Sequence, residues 1–404
     1  MAIAIAIISY QNFQLPKYQT SAVTIKLSGW AGNPVEQKLL KQLLQDFEAQ
    51  HPNIKVRYEV ISGQYMDVIT TRLIGEAAPD VFYLESLEAP FFMSQNVLEP
   101  LNAYITPEFD LEDFEQSLLD NFKAQNYIYG LPKDYSTLAL FYNKKAFAAA
   151  GLSRPPTTWD ELRSYSQKLT GKVNRYGFGV TPKLSYQAYK IAAFGGKVID
   201  QNGDAAFADP EGLQGLQLVI DQYQKDRTSA QATDVGTNSG TEMFGQSRVA
   251  MVIEGNWAIP YLETTFPQLE FATAEVPTIN DKKGTMVFTV AYVMNQQSQH
   301  KSEAWELISF LTSKEGMAQW TGTGFALPTR KSVAKKLGYD QDPLRSPLVA
   351  GIDYATMWQL GKYPGAIADN FDNQFMSALL GQQPLKSAMV RAQNAANRQI
   401  QSRE

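Results

Sequence analysis

Between Val23 and Glu85 the chain switches repeatedly between two hydrophobic periods, and that switching restricts its fold more than any other feature. Val23, Ile25 and Leu27 alternate with Thr24, Lys26 and Ser28, the period of a strand with one buried face. Asn33-Pro34-Val35-Glu36 then carries a helix start, with Asn at the N-cap, Pro at the first turn and Glu three residues on. Leu39, Leu40, Leu43, Leu44 and Phe47 repeat at helical spacing until His51-Pro52-Asn53 stops them. A second alternating strand follows (Ile54, Val56, Tyr58, Val60), then a helix over about Gln64 to Gly75. Pro79 to Leu84 gives a buried strand that ends at Glu85. Strand, helix, strand, helix, strand in that order implies a doubly wound, mostly parallel α/β sheet, because a parallel pair needs a crossover helix.

With 404 residues, the chain is too long for one compact core and predicts two or three domains. A net charge of -5 gives nucleic-acid binding no electrostatic support. The chain has no cysteine, which removes thiol nucleophiles, disulfides, thiolate metal sites and a lipoprotein anchor. Its two histidines, His51 and His300, lie beside helix ends and read as loop residues rather than as a general base. The apolar run Met1 to Ile8 is too short to span a bilayer and lacks a basic flank. Residues 1–22 therefore read as a truncated or atypical export segment.

The α/β pattern resumes further on. Asp209-Pro210-Glu211 caps a helix with the stripe Leu213, Leu216, Ile220 and Tyr223. Val249 to Ile253 reads as a strand, with a helix from Asn256 onward. A strand over about Met286 to Met294 precedes an amphipathic helix from Ser302 to Leu311, and Pro384 to Arg403 forms a helical tail. The segment from Tyr129 to Leu162 joins an apolar strand (Leu138 to Tyr142), a helical turn ending at Gly151, and a capping box, Thr158-Trp159-Asp160-Glu161.

Taken whole, that segment resembles the family-1 extracellular solute-binding proteins of ABC importers, the group that includes maltose- and oligosaccharide-binding proteins. APDVFYLES, NVLEPLNAYI, FGQSRVAMVIEGNW, SEAWELISFLTSKEGMAQW and GFALPTR extend the likeness in the expected order from about Val23 onward. The resemblance implies the periplasmic-binding-protein type II fold: two doubly wound α/β lobes joined by a multi-stranded hinge, with a ligand cleft between them. It also implies interleaved lobes, residues 23–131 with 290–326 and residues 132–289 with 327–404.

In open α/β sheets, ligands lie beyond the carboxyl ends of the strands. Trp30 with Glu36, Glu85, and the group Gly255, Asn256 and Trp257 follow predicted strands; Asp134 and Tyr135 sit at the first crossing, and Tyr292 near the second. Phe194, Gly195 and Arg330 complete the candidate set. Aromatic rings offer a flat surface to the C–H face of a sugar, and carboxylates accept paired hydroxyl hydrogen bonds. Positions matching Glu85, Asp134 and Trp257 usually line the family's sugar cleft. Trp159 and Trp305 lie on helical stripes and read as core; the sequence leaves Trp320 and Trp358 open.

The expected function is a non-enzymatic receptor, with no catalytic residue, metal or cofactor. It binds a sugar, oligosaccharide or glucosyl-polyol and delivers it to a membrane permease. A separate chain supplies the ATPase, since no GxxxxGK[ST] loop occurs here. The resemblance implies a periplasmic, soluble monomer. The rival readings are the same fold binding a glycerophosphodiester or polyamine, and a secreted glycoside hydrolase using paired carboxylates such as Glu85 and Asp134.

Overall fold

The computed structural model describes residues 22–30, 34–75, 77–171 and 176–403. Nearly all of the expected export segment, and the Asn33 N-cap, lie outside the described residues. The first lobe opens as its hydrophobic periods require: β1 (Val23–Gly29), α1 (Pro34–Gln50), β2 (Ile54–Val60), α2 (Tyr65–Ile74) and β3 (Val81–Glu85). In β1, Ile25 and Leu27 are fully buried while Thr24 and Lys26 face out. The α1 stripe buries Leu40, Leu43, Leu44 and Phe47. Each such side chain contributes roughly 2 kcal/mol on leaving water.

The remaining strands are β4 (Lys123–Ala124), β5 (Tyr127–Ile128), β6 (Gly130–Asn143), β7 (Tyr176–Gly179), β8 (Ser229–Ala230), β9 (Val249–Gly255), β10 (Phe271–Ala274), β11 (Thr285–Met294) and β12 (Ala355–Met357). One sheet runs β2-β1-β3-β11-β6-β9-β7-β8, with β10 on β6 and β12 on β11; β4 and β5 form a separate hairpin. The parallel pairs are β1 with its two neighbours, β7 with β8 and β9, and the short β12 with β11. Across the middle, β3, β11, β6 and β9 are antiparallel. The expectation of a mostly parallel sheet is corrected there, because β6 and β11 pass between the lobes without a crossover helix.

β6 has 14 residues, much longer than the strand expected over Leu138 to Tyr142. Its first half pairs with β11, and its second half pairs with β9 and β10. It contains Pro132, which cannot donate to a ladder, and the register slips there: Val290 faces Asp134 while Ala291 faces Pro132. Lys133 is the extra residue of a β-bulge, the place where a strand tolerates Pro. Leu327 bonds Tyr135 in both directions (Tyr135 N–H to Leu327 O at 3.0 Å, Leu327 N–H to Tyr135 O at 2.8 Å), so the chain near residue 327 runs against the same strand.

One core gathers Ile25, Phe47, Phe82, Leu84, Val293 and Leu307. Another gathers Leu140, Phe178, Ile191, Phe207, Met251 and Phe371, and the helices Pro364–Leu379 and Leu385–Gln401 close it. Trp159 belongs to the second core, and Trp305 packs half-buried on the first, against Tyr104 and Phe109. The capping box at Thr158 forms in half. Thr158 Oγ1 accepts from Glu161 N–H at 3.2 Å, but Glu161 turns to Thr157 N–H at 2.8 Å and to Arg154. His51 stacks on Phe47 and His300 precedes the helix Lys301–Leu311, so both serve helix ends.

Candidate functional site

A cleft lies at the junction of the lobes, beyond the carboxyl ends of β1, β3 and β9, as the rule for open sheets requires. Its inner chamber, of about 340 Å³, is floored by Glu85 and Ser86 from the end of β3, by Lys133 to Ser136 of β6, and by Phe288 to Val290 of β11. Trp30, Trp257 and Trp320 supply its rings, and the segment Thr323 to Ala326 covers one side.

The bulge explains how two successive β6 residues serve one face. In a regular strand Lys133 and Asp134 would point to opposite sides. Here Lys133 Nζ forms an ion pair with the Asp134 carboxylate, 4.1 Å from the Trp320 ring centre and 4.9 Å from that of Tyr83. Trp320 Nε1 donates to Asp134 Oδ2 at 2.6 Å. Asp134 thus fixes a lysine and an indole, two walls of the chamber. Trp30 stands edge-on to Tyr65 and Tyr83, at 5.0 and 5.2 Å between centroids. Those packed rings fix its plane. Glu36, one turn into α1, lines the cleft, and burial with the Glu36 charge pushes the Tyr58 phenol up to about 12. Burial also raises the Glu85 carboxyl, and it lifts Glu88 to about 7, with the charges of Glu85 and Asp67 adding.

A second, outer chamber of about 660 Å³ adjoins the first and shares Glu36, Trp257 and Phe325 with it. Its base is Glu254, the charge that ends the apolar run of β9. Glu254 Oε2 accepts from Trp257 Nε1 at 3.1 Å and from the Tyr186 hydroxyl at 3.2 Å. Complete burial raises the carboxyl to about 7 in spite of these bonds. Gly240 permits the close fit, since a Cβ there would meet Glu254 Oε1 at 2.1 Å.

Of the residues predicted from sequence, Trp30, Glu36, Glu85, Asp134, Tyr135 and Trp257 come together in the inner chamber. Tyr135 does so from a ring buried in a cluster with Leu118 and Leu327. The other six do not line either chamber. A Cβ on Gly255 would lie 2.3 Å from the Trp257 ring, so Gly255 serves as the bed on which the indole folds back. Asn256 is fully buried; it accepts from the Ser136 hydroxyl and donates to Phe325 O, tying the covering segment to β6. Tyr292 is core, edge-on to Tyr83, and Phe194 packs on the second core beside Gly195, whose φ is +92°. Arg330 is 1 % exposed. Its guanidinium lies against the stacked pair of Phe109 and Phe114 and donates to the carbonyls of Thr312, Asp110 and Phe109. It ties separated segments together and lines neither chamber.

Lys133, Phe288, Trp320 and Glu254 escape the sequence reading. The bulge conceals Lys133, and Trp320 shares a helix with core positions. Glu254 alone carries a signal, a lone carboxylate ending the apolar strand VAMVIEG.

Residues 31–318 match the family described as bacterial extracellular solute-binding protein. A putative binding protein of Brucella abortus is 28% identical over 303 residues, 73% of each chain. The maltotriose-binding protein of Pyrococcus abyssi is 24% identical over 289 residues, 69% of this chain and 60% of that one. Among solved structures, the substrate-binding protein of Listeria monocytogenes in complex with cycloalternan superposes with a TM-score of 0.84 at 21% identity, covering 94% of this chain and 99% of that one. The solute-binding protein of Thermotoga lettingae bound with α-D-tagatose gives 0.78 at 27% identity and the same coverage. The match reaches through both lobes and most of the length, and the chain belongs to the family of bacterial extracellular solute-binding proteins.

Proposed function

We propose that this protein is the receptor component of an ABC importer, binding a saccharide between its lobes and delivering it to a membrane permease driven by a separate ATPase. One observation carries the reading: rings from three separate segments, Trp30, Trp257 and Trp320, surround a polar floor built from strands that run between the lobes. Flat rings take the C–H faces of a sugar, and Glu36, Glu85 and Asp134 offer acceptors to its hydroxyls. The names of relatives point the same way, with maltotriose in Pyrococcus abyssi and arabino- and galacto-oligosaccharides in Bacillus subtilis.

On this reading the hinge lies near residues 131–132, 289–290 and 326–327, with residues 23–131 and 290–326 forming one lobe and residues 132–289 and 327–404 the other. Ligand contacts to both lobes exist only when the cleft is shut, and that differential affinity favours closure. Turnover is not part of this reading: Asp134 Oδ2 holds Lys133 and Trp320 in place, and the carboxylate acts as a positioning and accepting group. The receptor acts as a monomer outside the cytoplasmic membrane.

Phosphodiesters fit less well. A protein of Mycobacterium tuberculosis with this fold holds glycerophosphocholine. In this cleft, however, the carboxylates of Glu36, Glu85, Asp134 and Glu254 outnumber the lysines, Lys133 and Lys183, and Lys133 is neutralised by Asp134. A thermal-shift screen against mono- to tetrasaccharides, glucosyl polyols, polyamines and glycerophosphodiesters tests the reading. A ligand that binds only the folded state raises the melting temperature through RT ln(1 + [L]/Kd). A shift from one saccharide group without product formation supports the proposal. A shift from a phosphodiester or a polyamine alone overturns its ligand class.

A further inference from the structure

We propose that a small space behind the inner chamber, bounded by Tyr58, Tyr83 and Lys133, is the site of one ordered water molecule that completes the wall carrying Trp30 and Trp320. The site does not depend on which ligand the cleft takes.

The space measures about 20 Å³ and is largely enclosed. Roughly 10–15 Å³ of such space holds a single water. A saccharide ring is far too large to enter it. Trp30, Glu36, Lys133 and Trp320 line both this space and the inner chamber, whereas Tyr58 and Tyr83 line this space and not the chamber.

Two of its residues are short of hydrogen bonds. Lys133 is 5 % exposed, and its ammonium carries three N–H donors. One goes to the Asp134 carboxylate, and the ring faces of Tyr83 and Trp320 lie 4.9 and 4.1 Å away. A buried ammonium is costly while its donors lack acceptors, and a ring face is a weak one. The Tyr83 hydroxyl is buried and has no hydrogen-bond partner among the described residues. Its ring has little freedom to turn towards one. It presses on Gly29, where a Cβ would lie 2.6 Å from it, and it stands between the edges of Trp30 and Tyr292, at 5.2 and 5.4 Å between centroids. Buried polar groups in folded proteins are paired with protein or with ordered water.

The charges around the space select a neutral occupant. A cation is disfavoured beside the Lys133 ammonium, and an anion beside the Glu36 carboxylate. Water both donates and accepts. It can accept from Lys133 and Tyr83 and donate to the Tyr58 oxygen, whose own proton goes to Trp30 O at 3.2 Å. Four of these groups then form one network: Lys133, Tyr83, Tyr58 and the Trp30 backbone. The network holds Tyr83, on which the Trp30 ring leans, and Lys133, which covers the Trp320 ring.

High-resolution crystal structures of the free wild type and of Tyr83→Phe test this. The expected result is a single ordered peak within hydrogen-bond reach of Tyr83 Oη and Lys133 Nζ, lost in the variant. In solution, water magnetic relaxation dispersion should count one long-lived water fewer in Tyr83→Phe. Melting adds an independent reading. Removing a hydroxyl that has no partner costs nothing, whereas removing one that holds a water should lower the melting temperature by about 2 °C. A well-ordered wild-type cleft without a peak at this place overturns the proposal. So does a Tyr83 hydroxyl bonded directly to Tyr58, Tyr292 or another protein group, or a variant with an unchanged water count and melting temperature. All of these readouts use the protein without ligand, so their failure leaves the saccharide reading standing.

Discussion

At the scale of single residues, the cleft is held by side chains that carry more than one duty. Glu254 illustrates the cost. Burial raises its folded-state carboxyl to about 7 from an ordinary 4.5, so the folded protein holds a proton there that the unfolded chain releases near the ordinary value. Stability from this group is complete below the unfolded value and is lost as pH rises towards 7. Glu254→Gln removes the titration and keeps an acceptor. Relative to the wild type, the variant should gain about 3 kcal/mol between pH 4 and pH 8, read as a growing difference in urea midpoint. A difference independent of pH would show that the carboxyl titrates normally. Glu88 shifts in the same direction, but it is present in both proteins and cancels.

Arg330 gives the opposite kind of residue prediction. Its guanidinium satisfies three backbone carbonyls at a buried site, so Arg330→Ala leaves those acceptors unpaired and removes the cation packed against two rings. The expected loss is about 3 kcal/mol of stability in denaturant, with saccharide affinity of the folded fraction within about twofold. A large affinity loss at unchanged stability would return Arg330 to the ligand set. Trp257 should behave in reverse. It lines both chambers and is half-buried, so Trp257→Ala should lower affinity for every saccharide that binds by about a hundredfold, with folding retained.

At the scale of elements, the close approaches matter more than the propensities. Gly255 ends β9 and lets the Trp257 ring fold back over the backbone, closer than any Cβ permits. Gly255→Ala pushes the indole out of place and breaks its bond to Glu254. Calorimetry should show weakened saccharide binding at a melting temperature close to that of the wild type, since the displaced ring lies at a cleft wall. The bulge at Lys133 is the other device of this kind. It aims two successive side chains into one chamber, which an alternating strand cannot do. Periodicity located the elements here but missed the bulge: the helices and strands of residues 23–85 follow from their apolar spacing, whereas nothing in the local pattern around Pro132 states that the register slips.

At the scale of the whole molecule, three large buried clusters share one sheet, and β6 and β11 contribute to each of them. If the proposed closure occurs, bending in these crossing strands would bring the lobes together while the clusters around Phe47 and Phe371 stay packed. Small-angle scattering with a saturating concentration of the saccharide that binds should show a smaller radius of gyration than the free protein. An unchanged profile at full occupancy would exclude lobe closure.

The sequence by itself determined the α/β class, the order of elements and the strand ends where a ligand could lie, because those depend on local hydrophobic period, caps and breakers. It also brought Trp30, Glu36, Glu85, Asp134, Tyr135 and Trp257 into view, at or just past strand ends, in the first turn of α1, or at the first crossing. Only the tertiary structure separated them from Gly255, Asn256, Tyr292 and Arg330, which share the same local signals but face the backbone or the cores. It alone added Lys133, Trp320, Phe288 and Glu254, drawn from segments far apart in the chain. Whether a polar or aromatic side chain meets a ligand or a neighbour depends on which distant segment packs against it. That is a property of long-range contacts, and no spacing along the chain encodes it.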